Sequence, residues 1–258
     1  MFALRLQLIL LLATTSPAVF AEDVPNPVFL GIGAWVRPAY DGASTSRTVA
    51  IPAIRFYGQP WFARSTFGML EGGMRAELLN GLTLGGQFAY EGGRESSESE
   101  FLLKHAFTSL SPSLSWGMHA ELEKKIGPMP FIALLRYRQD IDTERGAQAD
   151  LRLTAGLYSN LGLNAGIFAQ TTWANSNAAN YYFGITTQQA ATSSLPYYEL
   201  GSGPLFNSAG LLWSYDLHQN WILLGSLETR MLRSGPLDSP LVQDSTSRYI
   251  SLGLAYQY

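Results

Sequence analysis

Arg248-Tyr249-Ile250-Ser251-Leu252-Gly253-Leu254-Ala255-Tyr256-Gln257-Tyr258 is the stretch of sequence that decides the fold. In a β-strand its large apolar residues share one face, because they occupy alternate positions: Ile250, Leu252, Leu254, Tyr256 and Tyr258. A soluble domain would have to bury that face. In a transmembrane β-barrel the same face meets lipid, and the two tyrosines lie at the interfacial aromatic belt. The stretch therefore predicts the closing strand of a barrel.

The same five residues also resemble the C-terminal signal by which outer-membrane barrels are recognised for insertion, although that signal usually ends in Phe rather than Tyr. They predict two associations, one with the barrel-insertion machinery and one with outer-membrane lipid.

Apolar and polar residues alternate through most of the remaining sequence, which is typical of barrel strands. Twelve such runs are predicted strands: 29–36, 48–57, 61–67, 73–79, 82–90, 114–123, 131–138, 150–157, 161–173, 208–217, 221–231 and 250–258. We therefore expect an all-β, up-and-down antiparallel barrel. A soluble β-sandwich is the less favoured alternative.

The connections between these runs alternate between short and long. The short ones, predicted as periplasmic turns, are 58–60, 80–81, 127–128, 159–160 and 218–220; the long ones, predicted as extracellular loops, are 38–47, 91–112, 139–148, 174–207 and 232–247. Outer-membrane barrels show this asymmetry. The connection 68–72 is short where the scheme requires a long loop, and without that break the barrel would have ten strands.

The first 21 residues predict a secretory signal peptide. Arg5 precedes a short apolar run, and Val19-Phe20-Ala21 matches the small-x-small cleavage pattern. We expect cleavage after Ala21, leaving a barrel domain at 22–258 in the outer membrane of a Gram-negative cell. The chain has no cysteine, which excludes a lipoprotein anchor, disulfides and thiolate metal sites.

The charge content also suits a barrel whose outer wall is uncharged. Only 14% of residues are charged and the formal net charge is −3. A nucleic-acid partner would require a basic surface, so none is predicted.

Charged residues fall on the inward positions of several predicted strands. If they face the barrel interior, opposite charges line up across neighbouring strands and favour pairing. The predicted charge ladder is Arg75, Glu77, Glu121, Glu123, Arg136, Arg138, Asp150, Arg152, Glu228 and Arg230. The ladder either neutralises itself as a structural element or selects solutes in a pore.

Catalytic chemistry finds little support in the sequence. Ser115, His119 and Glu121 share one face of one strand, but same-face side chains lie roughly 6.5 to 7 Å apart and point in parallel, which does not suit a triad. His105 and His218 have no ligand-like neighbours. We therefore predict no catalytic residue, no metal site and no cofactor.

The longest loop, 174–207, carries amide and aromatic side chains: Asn175, Asn177, Asn180, Tyr181, Tyr182, Phe183, Tyr197 and Tyr198. Three interpretations are open. The loop caps the barrel rim, folds inward and constricts the pore, or presents a surface that binds sugars or proteins.

Several short stretches resemble the MipA/OmpV family of outer-membrane proteins. In chain order they are Gly31-Ile32-Gly33 with Arg37-Pro38-Ala39-Tyr40-Asp41-Gly42, then Gly93-Arg94, Tyr182-Phe183-Gly184-Ile185, Ser239-Pro240-Leu241-Val242 and Gly253-Leu254-Ala255-Tyr256-Gln257-Tyr258. The resemblance implies an outer-membrane barrel and a scaffold that joins a lytic murein transglycosylase to a murein synthase. Other members are linked to adhesion or pore-like behaviour. The resemblance supplies no catalytic residues.

Three functions follow as hypotheses. The chain is a non-enzymatic scaffold for peptidoglycan enzymes, a narrow pore for small solutes, or a surface adhesin that uses its long loops. Twelve strands lie between filled eight-stranded barrels and open sixteen-stranded porins, so the strand count alone does not decide whether the lumen conducts.

Overall fold

The computed structural model describes residues 28–58, 60–66, 68–127 and 129–258. The predicted signal peptide and its cleavage after Ala21 lie outside these ranges.

Twelve antiparallel strands form one closed barrel, as predicted. The first and last strands close the ring through a ladder that runs from Phe29↔Gln257 to Val36↔Ile250. The strands are β1 (Phe29–Pro38), β2 (Ser46–Tyr57), β3 (Trp61–Thr66), β4 (Met69–Leu79), β5 (Leu82–Glu91), β6 (Ser113–Ile126), β7 (Met129–Asp140), β8 (Ala147–Asn160), β9 (Leu163–Ala174), β10 (Gly203–Asp216), β11 (Trp221–Leu232) and β12 (Thr246–Gln257).

The described connections contain three short α-helices, α1 (Glu100–Lys104), α2 (Ser176–Phe183) and α3 (Thr187–Ser193), and three single-turn 3-10 helices at Ser96–Glu98, Thr143–Arg145 and Pro236–Asp238. Within the described ranges, no helix has the length and apolar character needed to cross a membrane.

The outer wall of the barrel is apolar. On β12, Ile250 and Leu252 are each 50% exposed and face outward, whereas Ala255 is fully buried and faces the interior. At the end of this strand the ring of Tyr256 lies 5.3 Å from Trp221 and 5.1 Å from Tyr258. An outward apolar band bordered by such an aromatic cluster is the wall that a lipid bilayer requires.

The two ends of the barrel differ. At one end, called the short-turn end, the connections are 58–60, 80–81, 127–128, 161–162 and 217–220. The predicted turn at 159–160 is wrong by two residues, because β8 continues to Asn160 and the turn is Leu161-Gly162. At the opposite end, called the loop end, the connections are longer, apart from 67–68.

The short connection between β3 and β4 is a real break between strands, so the ten-strand alternative is excluded. The predicted connection 68–72 is nevertheless wrong. Strand β4 begins at Met69, and Glu71 pairs with Arg64 of β3 inside the ladder. A carboxylate predicted to lie in a turn is therefore part of the barrel wall.

The long loops pack together over the loop end as a cap with its own apolar core. One cluster joins the 175–202 loop to β10 and β11: Ala174, Ala178, Ala179, Phe183, Leu200, Leu205, Phe206 and Leu232. A second cluster joins four loops: Ala39, Tyr40, Ala43, Leu102, Phe107, Ile185 and Leu241. Burial of these side chains holds the loops over the opening.

Candidate functional site

An ion network crosses the interior of the barrel and is centred on Glu71. Its carboxylate accepts from Arg64 Nε at 2.9 Å and from Arg136 Nη1 at 2.6 Å. Gln87 Nε2 donates to the same carboxylate at 2.6 Å. Arg64 lies opposite Glu71 on the neighbouring strand β3, whereas Arg136 lies on β7, so the second ion pair links strands that are not neighbours in the wall.

Each arginine bound to Glu71 also binds a second carboxylate. Arg64 Nη1 lies 3.2 Å from Glu121 Oε2, and Arg136 Nη2 lies 2.9 Å from Asp150 Oδ2. Asp150 in turn accepts from the hydroxyl of Thr172 at 2.8 Å. Alternating charges held by such directional contacts make a continuous polar layer across the lumen.

This layer is buried. Glu121 is 0% exposed, and Arg64, Glu71, Arg136 and Asp150 are all buried. An open aqueous channel would leave the side chains that line it accessible to water. On the other side of the interior an apolar cluster fills the space beside β1, β2, β11 and β12: Phe29, Ala53, Ile222, Leu224 and Ala255. The lumen is therefore plugged by packed side chains.

The pairing within the predicted ladder differs from the prediction. Arg136 and Asp150 are opposite each other on β7 and β8 and form an ion pair, as the ladder requires. Glu121 and Glu123, however, lie opposite Leu134 and Ile132 rather than arginines. The tight turn after Ile126 fixes this register, and a strand's register decides which side chains can pair.

Three further ladder residues make other contacts. The carboxylate of Glu77 accepts the backbone N–H of Gly81 at 2.9 Å and so supports the adjoining turn. Glu123 is half-buried and shares a side-chain hydrogen bond with Glu121. The guanidinium of Arg152 lies 4.0 Å from the centre of the Phe168 ring. Arg75 is closer to the network, with Nη1 4.0 Å from Glu121 Oε1.

The remaining ladder residues lie nearer the loop end. Arg138 contacts Glu91 at 3.4 Å and Asp150 at 3.7 Å. Arg230 contacts Glu228 at 3.3 Å and reaches Asp41 of the first loop at 2.9 Å. Whether these charges select solutes stays a prediction.

Asp41 fastens the first loop to the barrel interior. Burial alone would raise the pKa of this carboxyl, but Arg230 and a hydrogen bond donated by the Tyr249 hydroxyl outweigh burial and hold the pKa below its usual value. Asp41 therefore stays ionised at neutral pH, and the contact is lost only as the pH falls below the usual pKa of aspartate.

Sequence reasoning missed the centre of this network. The sequence pattern places Glu71 in a turn, and it does not distinguish Arg64 and Gln87 from other strand residues. The sequence does contain a signal for Glu71. It lies on the same alternating positions as Arg75 and Glu77, and this alternation extends the predicted strand at 73–79 towards the N-terminus. The contacts of Arg64 with Glu121 had no signal in the sequence, because they cross the lumen.

The three residues considered for catalysis have other partners. The hydroxyl of Ser115 donates to the carbonyl of Ala89 at 3.3 Å, and His119 Nδ1 lies 2.7 Å from Gln87 Oε1. Glu121 is held by arginines. Among the described residues, no group of three or more histidine or acidic side chains is arranged to hold a metal ion.

The side chains of the longest loop mainly hold the cap together. Asn175 accepts from the N-terminal backbone of α2, and Asn180 both donates to and accepts from the backbone of Leu200. The Tyr198 hydroxyl donates to the carbonyl of Gly235 at 2.8 Å. These contacts favour the capping interpretation of this loop.

Comparisons with known proteins agree with this architecture. The NanC porin covers 89% of this chain and 100% of its own, with a TM-score of 0.51 and 9% identity. LpxR from Salmonella typhimurium covers 88% of this chain and 99% of its own, with a TM-score of 0.50 and 10% identity. At these identities the likeness shows the barrel fold.

At the level of sequence, the MltA-interacting protein of Escherichia coli (strain K12) is 27% identical over 111 residues. That match spans 39% of this chain and 40% of the relative. The family model described as MltA-interacting protein MipA matches residues 30–258, which is nearly the whole barrel. The chain therefore belongs to the MltA-interacting protein MipA family.

Proposed function

We propose that this chain is a non-enzymatic outer-membrane scaffold that holds a murein transglycosylase of the MltA type at the inner face of the membrane, where a murein synthase joins it. The plugged lumen carries the proposal. A barrel whose interior is closed by the Glu71 network acts through its surface rather than by passing solutes. The name of the E. coli relative supports the choice of partner.

The plugged lumen also argues against the pore hypothesis. Moving a hydrated ion past the Glu71 network would require buried ion pairs to separate, and a charge left uncompensated in a low-dielectric interior is costly. The network therefore opposes conduction as long as the barrel is folded.

The short-turn end offers an apolar docking surface for a periplasmic partner. Leu161 occupies the tip of the β8–β9 turn and is 85% exposed. Its φ is 52°, a conformation that is uncommon for an ordinary side chain and that favours Asn or Gly. Ile126 and Met129, on the neighbouring β6–β7 hairpin, are also exposed.

A strained, exposed leucine is unfavourable for the isolated barrel, so a binding role gives it a physical reason. A specific interface usually buries roughly 1,200–2,000 Å² in total. A single turn is too small for that, and the partner must therefore contact several turns, including the adjacent hairpins that carry Leu161 and Ile126.

Replacing Leu161 with Asn tests the scaffold proposal. Asn tolerates the left-handed conformation, so we expect the isolated barrel to gain about 1 kcal/mol in free energy of unfolding. Co-purification of an MltA-type transglycosylase with the refolded barrel should fall roughly tenfold, as for an interface residue worth about 1.4 kcal/mol.

Gln219→Asn is the matched control, because Gln219 also has a positive φ, in the β10–β11 turn. The amount of transglycosylase that co-purifies with the Gln219→Asn variant should equal the amount that co-purifies with the unaltered barrel. Failure of the unaltered barrel to retain the transglycosylase would contradict the proposal, and so would undiminished retention by Leu161→Asn and by a second variant, Ile126→Ser.

Export precedes this function. We propose that residues 1–21 are a signal peptide removed after Ala21 and that the outward residues of the last strand direct insertion of 22–258 into the outer membrane. The exposed positions of Ile250, Leu252 and Tyr258 support the second part, since a recognition signal has to be accessible.

A further inference from the structure

A cavity of about 120 Å³ lies between the Glu71 network and the loop cap. A single water molecule needs only about 10–15 Å³ of such space, so the cavity has room for a small organic molecule. Its wall is rich in charge. The four carboxylates of the wall each lie within 3.4 Å of Arg136, Arg138 or Arg230. The wall has two further arginines, Arg37 and Arg94, which form no ion pair within 4.0 Å in the described ranges, although Arg37 lies near enough to Asp41 to help lower the pKa of that carboxyl.

Arg94 is a buried cation without a carboxylate partner. It is 8% exposed, and it forms no ion pair within the part of the chain that the structure describes. Its Nε is buried without a hydrogen-bond partner. The neighbouring carboxylate of Glu95 is exposed and accepts instead from the Ser109 hydroxyl at 2.9 Å.

The backbone holds Arg94 in place. Its N–H donates to the Leu110 carbonyl at 2.9 Å, and its carbonyl accepts from the Leu110 N–H at 2.8 Å. These two bonds close the base of the 92–112 loop and fix the backbone from which the Arg94 side chain reaches the cavity wall. A backbone ordered before binding lowers the entropy cost of placing the side chain beside a ligand.

The electrostatic surroundings of Arg94 are unfavourable for its own charge. Burial lowers the pKa of this guanidinium, and the groups that oppose the shift are the hydroxyls of Tyr40, Tyr181 and Tyr182 rather than carboxylates. A buried cation without a counter-charge is costly, and an anion placed beside it would remove that cost.

Arg37 reaches the same cavity from β1. Its Nε donates to the Pro38 carbonyl at 3.3 Å, and its guanidinium lies 4.8 Å from the centre of the Trp35 ring. Arg37, like Arg94, makes no ion pair in the described ranges. The planar guanidinium fork matches a carboxylate in a bidentate manner.

Aromatic rings form the rest of the wall beside these arginines. Trp35 stacks on Tyr249 with their ring centres 5.7 Å apart, and Tyr40 lies beneath the guanidinium of Arg94 at 5.6 Å. Such rings favour contact with a flat or cyclic molecule.

We infer that Arg94 and Arg37 form a binding site for a small organic carboxylate with a ring-shaped body, in the cavity beneath the loop cap. The arginines bind the carboxylate and the aromatic rings contact the ring. This site lies at the opposite end of the barrel from the surface proposed for the murein enzyme, so either proposal can fail without the other.

The test uses 4-fluorobenzoate and ¹⁹F NMR, with the refolded barrel in lipid nanodiscs. We expect saturable binding, and we expect Arg94→Gln to weaken it about tenfold to a hundredfold, as when a hydrogen bond to a charged group is lost. Arg37→Gln, on a different element, should weaken it as well. Fluorobenzene, which lacks the carboxylate, should show no saturable binding.

Arg145→Gln is the matched control. Arg145 lies at the rim, contacts Asp142 at 3.3 Å and does not line the cavity. The Arg145→Gln variant should bind 4-fluorobenzoate as tightly as the unaltered barrel does. Heat-modifiable mobility confirms that each variant is folded. Absence of saturable binding, or equal binding by the folded Arg94→Gln and Arg37→Gln variants, overturns the inference, and so does a preference for inorganic phosphate over the ring carboxylate.

Discussion

Replacing Glu71 with Gln is expected to lower the free energy of unfolding of the barrel by roughly 3–5 kcal/mol, because it removes one charge from a buried network. Glu71 is the carboxylate that Arg64 and Arg136 share, at 2.9 Å and 2.6 Å. Without the Glu71 charge, Arg64 keeps only its ion pair with Glu121, and Arg136 keeps only its ion pair with Asp150. Reversible urea unfolding of the refolded barrel in detergent measures the change as a lower midpoint.

Glu144→Gln is the control for that experiment. Glu144 is exposed in the 141–146 loop, so its replacement should change the free energy of unfolding by no more than about 0.5 kcal/mol. If Glu71→Gln proved as stable as Glu144→Gln, the network would not hold the interior together.

Gly31→Val is expected to prevent closure of the barrel. A Cβ at position 31 would lie 2.2 Å from the Leu254 carbonyl oxygen and 2.5 Å from Ala255 Cα, both of which belong to the backbone of β12. The two strands would have to separate at the seam where the ring closes. Open strand edges cannot be satisfied within a bilayer, so the variant should lose most of its folded, heat-modifiable band.

Ala34→Val, three residues along the same strand, provides the comparison. Ala34 is exposed and faces outward, so the added methyl groups meet lipid and folding should be unchanged. A Gly31→Val variant that folds as well as Ala34→Val would show that the closing seam tolerates a side chain.

The sequence predicts the barrel well because the wall is a local pattern. A strand in a membrane wall has to alternate, and Ile250, Leu252 and Leu254 display that alternation without reference to any other strand. Turn residues such as Asn80-Gly81 mark the hairpins in the same local way. The strand count and the asymmetry of the two ends followed from these signals.

The plug is less predictable because its contacts are not local. Glu71 lies between Gly68 and Gly72, which favoured a turn, although the strand begins at Met69. The partners of Glu121 depend on register and on distance across the lumen, and alternation specifies neither. Arg94 lies in a loop whose fold is set by contacts with other loops.

Conductance of the refolded barrel, residues 22–258, in a planar lipid bilayer tests the central claim that the Glu71 network plugs the lumen. Folding is verified beforehand by heat-modifiable mobility, and an open porin inserted under the same conditions serves as the positive control. The account predicts a folded barrel that is electrically silent. Reproducible discrete current steps from the unaltered protein would contradict it.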